Sequence, residues 1–167
     1  MKKDIRELLK EALSKKTCID YAVAAVIETP SGEYILGWNG PPEGVEHTRC
    51  LMSQKLDLHD LYLCPAVHAE RRAISHAAKD GIVTKGATMY LTAKGFPILF
   101  SCSDCTKSII EAGIGTVVLP DEVYLDKSRH ILMPSLQNAP YNFEMAEEHL
   151  RKTGVKIIID QLIRIKK

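Results

Sequence analysis

Aromatic residues are scarce in this 167-residue chain, 6% in all, and an excess of either charge is missing: 22 basic side chains face 21 acidic ones, a formal net charge of +1. Proteins that coat nucleic acid or stack bases along a groove draw on both features, so that class is disfavoured and nucleic acid is not expected as a partner. Long hydrophobic runs are missing too. Nothing approaches the ~18 consecutive apolar residues of a membrane span, and residues 1–16 alternate charge and apolar character with no signal-peptide core. A soluble, cytoplasmic protein without membrane partners is expected. The five cysteines (Cys18, Cys50, Cys64, Cys102, Cys105) are an odd number in a chain with no secretory signal. A disulfide framework is therefore the poorer reading, and metal-binding or catalytic thiols the better one.

What is present suits one globular domain over residues 1–167. The chain is 46% hydrophobic and 26% charged, with no internal repeat, low-complexity tract or linker. A domain of this length buries roughly two thirds of the surface its unfolded chain exposes, so it needs no covalent staple.

Apolar Ile5, Leu8, Leu9, Ala12 and Leu13 fall at i, i+3, i+4, i+7 and i+8, which predicts an amphipathic helix over residues 4–16. A hairpin follows, with strands over 21–28 and 33–38 and turn chemistry at Pro30-Ser31-Gly32. Residues 39–66 lose periodicity and open on Gly40, Pro41, Pro42 and Gly44, a loop long enough to be functional. Helices are predicted over 67–79, 102–112 and 141–153, and strands over 88–92, 116–119 and 155–159; residues 93–100 and 121–140 are irregular. This order implies an α/β architecture with a five-stranded mixed sheet, its later strands parallel and joined by helical crossovers.

Two short motifs carry the chemistry: His68-Ala69-Glu70 at the start of one helix, and Cys102-Ser103-Asp104-Cys105 at the start of another. Either alone is weak, because His-x-Glu is common on solvated helices and Cys-x-x-Cys serves redox, structural zinc or plain packing. Together they supply one imidazole and two thiolates, three zinc ligands that leave a fourth tetrahedral position for water. The cysteines, at i and i+3 in a first helical turn, sit where the helix dipole and free amides favour thiolates. The strands preceding the two helices are expected to be neighbours, so that both helix starts meet at the strands' carboxyl ends. Glu70 is poorly placed to be a ligand beside His68 and well placed to shuttle protons.

The pairing resembles the zinc-dependent cytidine and deoxycytidylate deaminase superfamily, whose signature is H-x-E with P-C-x-x-C. The likeness is closest to the dCMP deaminases and covers residues 17–160. It also includes Gly37-Trp38-Asn39-Gly40 and the run Ser108-Ile109-Ile110-Glu111-Ala112-Gly113-Ile114. It implies a cytidine deaminase-like three-layer fold with helices on both faces of the sheet. It further implies zinc on His68, Cys102 and Cys105, Glu70 as general acid/base, Asn39 against the sugar, and a homo-oligomer, for which the apolar residues 155–165 and the first helix offer surface. Tyr124 either lines the base pocket or packs in the core.

Three departures bear on the substrate. Ser101 replaces the family's proline, Asp20 stands where an arginine is usual, and Arg72 replaces the asparagine of H-A-E-x-N near the sugar. Arg72 either binds a phosphate or is a solvated helix residue, and Arg71 lies on another face. Some relatives carry a second, structural zinc; Cys18, Cys50 and two of His47, His59 and Cys64 either form one or are buried and solvated residues.

The reaction so implied is hydrolytic deamination of a (deoxy)cytidine nucleotide, dCMP to dUMP and ammonia. The alternatives are deamination of cytosine, a purine, a modified base or an RNA base, and a non-catalytic zinc-stabilised module, for which Glu70 would have no use. A thiol redox protein leaves His68 and the long loop unexplained.

Overall fold

A computed structural model of the chain describes residues 3–19, 22–47, 64–94, 101–120, 143–163 and 165. Its first element is helix α1, Ile5–Ser14, opened by Asp4, whose carboxylate accepts the Arg6 N–H at 2.8 Å. Strands β1 (Ala22–Glu28) and β2 (Tyr34–Trp38) form the expected hairpin. Helix α2 (Ala69–Lys79), strand β3 (Thr88–Lys94), helix α3 (Ser103–Glu111), strand β4 (Thr116–Leu119), helix α4 (Phe143–Lys152) and strand β5 (Lys156–Ile159) follow, and a short 3-10 helix, Gln161–Ile163, comes after β5.

The sheet runs β2-β1-β3-β4-β5. The pairs β1–β2 and β1–β3 are antiparallel, whereas β3–β4 and β4–β5 are parallel. This is the mixed sheet with parallel later strands, but one expectation fails: β2 and β3, the strands before the two motif helices, are not neighbours. Strand β1 lies between them, with Ala24 level with both Trp38 and Thr92. The reason is burial. Residues 24–27 are buried on both faces, the mark of an interior strand, whereas β2 alternates and suits an edge. Because β1 is antiparallel to both flanking strands, β2 and β3 run the same way and their carboxyl ends still lie at one end of the sheet.

Alternation along the strands splits the core into two layers. Ala24 and Val26 face α1, whose Leu8, Leu9, Ala12 and Leu13 pack with them and with Ile163. Ala25, Ile27, Met89, Leu91 and Val117 face the other way, against Ala69, Ala73 and Ala77 of α2, Ile109 of α3, and Ala146 and Leu150 of α4. Helices therefore cover both faces. Two glycines allow the closest approaches. A Cβ on Gly37 would collide with the Ala69 carbonyl oxygen and lie 2.6 Å from Ala73 N, so β2 can touch α2 only as glycine. Gly40 has φ +146°, and a Cβ there would run into the Thr17 hydroxyl and lie 2.9 Å from Cys18 N.

Element ends shift modestly from the sequence reading. Helix α2 begins at Ala69 rather than at 67, because Val67 exchanges two backbone hydrogen bonds with Gly40 and is held extended. Strand β3 extends to Lys94, where pairing with Ala22 carries it past Thr92. The irregular stretch 121–140 and most of the loop 39–66 lie outside the described residues. No helix among the described residues is long and apolar enough to cross a membrane.

Candidate metal centre

Two helix starts meet where β2 and β3 end. His68 is the N-cap of α2 and makes no side-chain capping bond there. Its ring turns instead toward α3, with Nδ1 3.5 Å from the Cys102 sulfur and 3.4 Å from the Cys105 sulfur. Cys102 is the N-cap of α3, and its Sγ accepts the Cys105 backbone N–H at 3.4 Å. Both cysteines are buried.

These separations permit a test of fit. Zinc held at ordinary Zn–N and Zn–S lengths in a tetrahedron puts a nitrogen and a sulfur ligand about 3.6 Å apart. The observed 3.4 and 3.5 Å match, and the three donor atoms all lie within 4.8 Å of one another. An imidazole with two thiols is also the borderline-soft set that zinc takes. The residues present fit a zinc ion with one coordination position left over.

The protonation pattern of the cluster points the same way. The Cys102 thiol is held down at about 4, first by the Cys105 hydrogen bond and then by His68, against the cost of burial. Burial alone would lower the His68 imidazole, but the hydrogen bond to Cys102 and its charge prevail and raise it to about 9. Cys105 is pushed up, because its proton is held against the Cys102 sulfur and burial disfavours a second charge. The protons on His68 and Cys105 are those a metal cation displaces.

Glu70 lies in the first turn of α2 and is buried. Burial pushes its carboxyl up, with the positive charge of His68 opposing. Ser101, in the family's proline position, is buried nearby.

The other candidates are placed as follows. Asn39 is buried at the end of β2, where its Oδ1 accepts the Val23 N–H at 2.8 Å and its carbonyl accepts from Thr17 and Cys18. Arg72 is half-buried; its Nη2 donates to the carbonyls of Gly40 at 2.6 Å and Pro41 at 2.9 Å, and its guanidinium lies 5.2 Å from the Trp38 ring centroid. Sequence reasoning gave Trp38 no role of its own. The available signal was spacing: Arg72 and His76 are i and i+4 on α2 and reach the same strand, His76 through a 2.8 Å contact to the Leu36 carbonyl and a tilted contact with Trp38. Tyr124, Asp20, Cys50 and His59 lie outside the described residues. Cys18 is buried, Cys64 is half-buried, and both ring nitrogens of His47 are buried with no hydrogen-bond partner. Among the described residues, only His68, Cys102 and Cys105 gather as three potential ligands.

The comparisons agree with this geometry. A family model described as the cytidine and deoxycytidylate deaminase zinc-binding region matches residues 2–120. Deoxycytidylate deaminase of Mus musculus is 34% identical over 107 residues, 62% of this chain and 54% of that protein. ComE operon protein 2 of Bacillus subtilis is 33% identical over 111 residues, 65% of this chain and 52% of that protein. The chain thus spans about half the length of these two relatives. Deoxycytidylate deaminase of Pongo abelii is 31% identical over 144 residues, 82% of this chain and 71% of that protein. Among solved structures, dCMP deaminase of the cyanophage S-TIM5, in complex with dCMP and dUMP, aligns with a TM-score of 0.60 at 20% identity, covering 96% of this chain and 93% of that one. The apo form gives 0.58 at 22% identity, over 99% and 100%. At those identities the likeness is one of fold.

Proposed function

The chain belongs to the cytidine and deoxycytidylate deaminase family defined by that zinc-binding region, and on that premise we propose that it hydrolytically deaminates a deoxycytidine nucleotide, dCMP to dUMP and ammonia, with zinc as cofactor. The observation that carries the reading is the His68 Nδ1 within 3.5 Å of two buried thiols, with a buried glutamate two residues along the same chain. The relatives named deoxycytidylate deaminase support this substrate over other cytosine compounds.

His68, Cys102 and Cys105 would hold the zinc, which when bound supplies Lewis-acid activation of water near neutral pH. The starts of α2 and α3 position these residues, with the two cysteines buried and His68 half-buried. Glu70 is the general acid/base: its carboxylate takes a proton from the attacking water, passes it to the ring nitrogen beside the reacting carbon, and moves a further proton to the departing amine. One water is consumed, the amino group leaves as ammonia, and the carbon keeps the oxygen. Burial raises the carboxyl above the ordinary carboxylate range, which favours its holding and passing on a proton. Asn39, buried at the end of β2 with its Oδ1 accepting from Val23, would meet the sugar. Tyr124 would line the base pocket.

We further propose a homo-oligomer. The first helix is consumed within the chain, packed against β1 and Ile163, but Ile158 on the edge strand β5 and the nearby Leu162 remain exposed. A monomeric mass by light scattering at micromolar protein would overturn this.

Ammonia release by the zinc-loaded protein on dCMP, deoxycytidine and cytosine, with Glu70→Ala as control, tests the main reading. Turnover of dCMP that the variant lacks is the expected result. Zinc retention without turnover of any of the three would overturn it and favour a different base or a non-catalytic module.

A further inference from the structure

The start of the long loop has a structural problem that its own sequence cannot solve. After β2 the chain reads Asn39-Gly40-Pro41-Pro42, and the two prolines carry no N–H, so the segment cannot continue as a paired strand. Its pairing with Val67 is a single bridge: Gly40 N donates to Val67 O at 3.2 Å and Val67 N to Gly40 O at 2.8 Å. The remaining carbonyl capacity is met from α2. Arg72 Nη2 donates to Gly40 O, which thereby accepts twice, and to Pro41 O. The same guanidinium lies over Trp38, the residue before Asn39, and His76 one helical turn on also touches that ring.

We propose that Arg72 is a positioning residue that clamps the start of the loop onto the helix carrying His68 and Glu70, holding Asn39 and the metal end as one unit. The proposal rests on the function above for its kinetic part only. A guanidinium suits the task because its two Nη2 protons diverge and can serve two successive carbonyls, a geometry the family's asparagine is too short to supply from the same position. A charged donor on a backbone carbonyl is also a stronger tether than a neutral one. By this account Arg72 acts on substrate binding through the loop rather than by touching a phosphate, and the two roles give different kinetics.

The test compares Arg72→Gln and Arg72→Lys with the unsubstituted protein, all zinc-loaded and checked for folding by thermal melting. A lost clamp raises KM for dCMP and deoxycytidine by the same factor, about tenfold, with a smaller change in kcat, and lysine restores part of the loss. A rise confined to dCMP would overturn the proposal in favour of a phosphate contact, and so would unchanged KM values. Two readouts need no turnover, so they separate failure of this proposal from failure of the deaminase assignment. Trp38 is the chain's single tryptophan, so its emission should shift in Arg72→Gln and less in Arg72→Lys. Hydrogen exchange at the Gly40 and Val67 amides should quicken in the same order while exchange in β3 stays unchanged. Unaltered emission and exchange in Arg72→Gln would overturn the clamp even if no cytosine compound is a substrate.

Discussion

Two glutamates mark opposite ends of the same sheet and are treated differently. Glu28 closes β1 at the end far from the cysteines; its Oε1 accepts the Tyr34 hydroxyl at 3.0 Å and its Oε2 the Tyr90 hydroxyl at 2.8 Å. Glu70, about 20 Å away by strand length, is buried at a helix start, and burial raises its carboxyl beside His68 and Cys102. A carboxylate given two dedicated donors is a finished structural element, whereas one buried among titratable groups has its proton affinity tuned. A carboxylate held within the fold is not by that alone a catalytic residue; its partners decide.

The sharpest way to break that contrast is to remove what surrounds Glu70. Cys102→Ser or Cys105→Ser should abolish stoichiometric zinc by atomic spectroscopy and reduce ammonia release to background, because a serine hydroxyl is a poor zinc ligand at neutral pH. Retained zinc with full activity in either variant would mean that the cluster is not the metal site. Next comes the direct comparison of the two carboxylates. Glu70→Gln should keep zinc and lower turnover by about 10²–10⁴-fold, the usual worth of a positioned acid/base. Glu28→Gln should leave turnover unchanged and cost about 1 kcal/mol of stability, read from denaturant unfolding. Equal kinetic effects would erase the distinction.

The smallest effect concerns pH. Burial, then the hydrogen bond to Glu28, pushes the Tyr90 phenol above its ordinary value of about 10. The folded state therefore favours the protonated phenol. That contribution is whole below pH ~10 and is lost as pH rises beyond it, since the unfolded chain then releases the proton more readily. Unfolding midpoints between pH 8 and 11 should fall more steeply for the unsubstituted protein than for Tyr90→Phe, and parallel curves would refute the coupling.

Much of this was legible in the sequence, for reasons tied to particular residues. Strong periodicity located α1 through Leu8, Leu9, Ala12 and Leu13, and β4 at Thr116–Leu119 was read to the residue because Gly115 and Pro120 bound it. The grouping of His68, Cys102 and Cys105 was legible because such residues are rare and their spacing tight. The strand order was misread, since preceding a motif helix says nothing about which strand is interior. The usable clue was the unbroken apolar run at residues 22–27, which marks a strand covered on both faces. The clamp of Arg72 on Gly40 and Pro41 spans more than thirty residues, and no local pattern reports a side chain bonded to distant carbonyls.

The interposed strand β1 acts as a gauge. Strands lie 4.7–4.9 Å apart, so one strand between β2 and β3 sets them about 9.6 Å from each other. Packed helices prefer axes 8–10 Å apart, so α2, whose start is tied to the end of β2 by the Gly40–Val67 bridge, and α3, which follows β3, are spaced to bring an imidazole and two thiols together. A second interposed strand would add about 4.8 Å and carry the donors out of range. The strand count of the sheet, as much as the identity of the side chains, thus sets the spacing within the His68, Cys102 and Cys105 cluster.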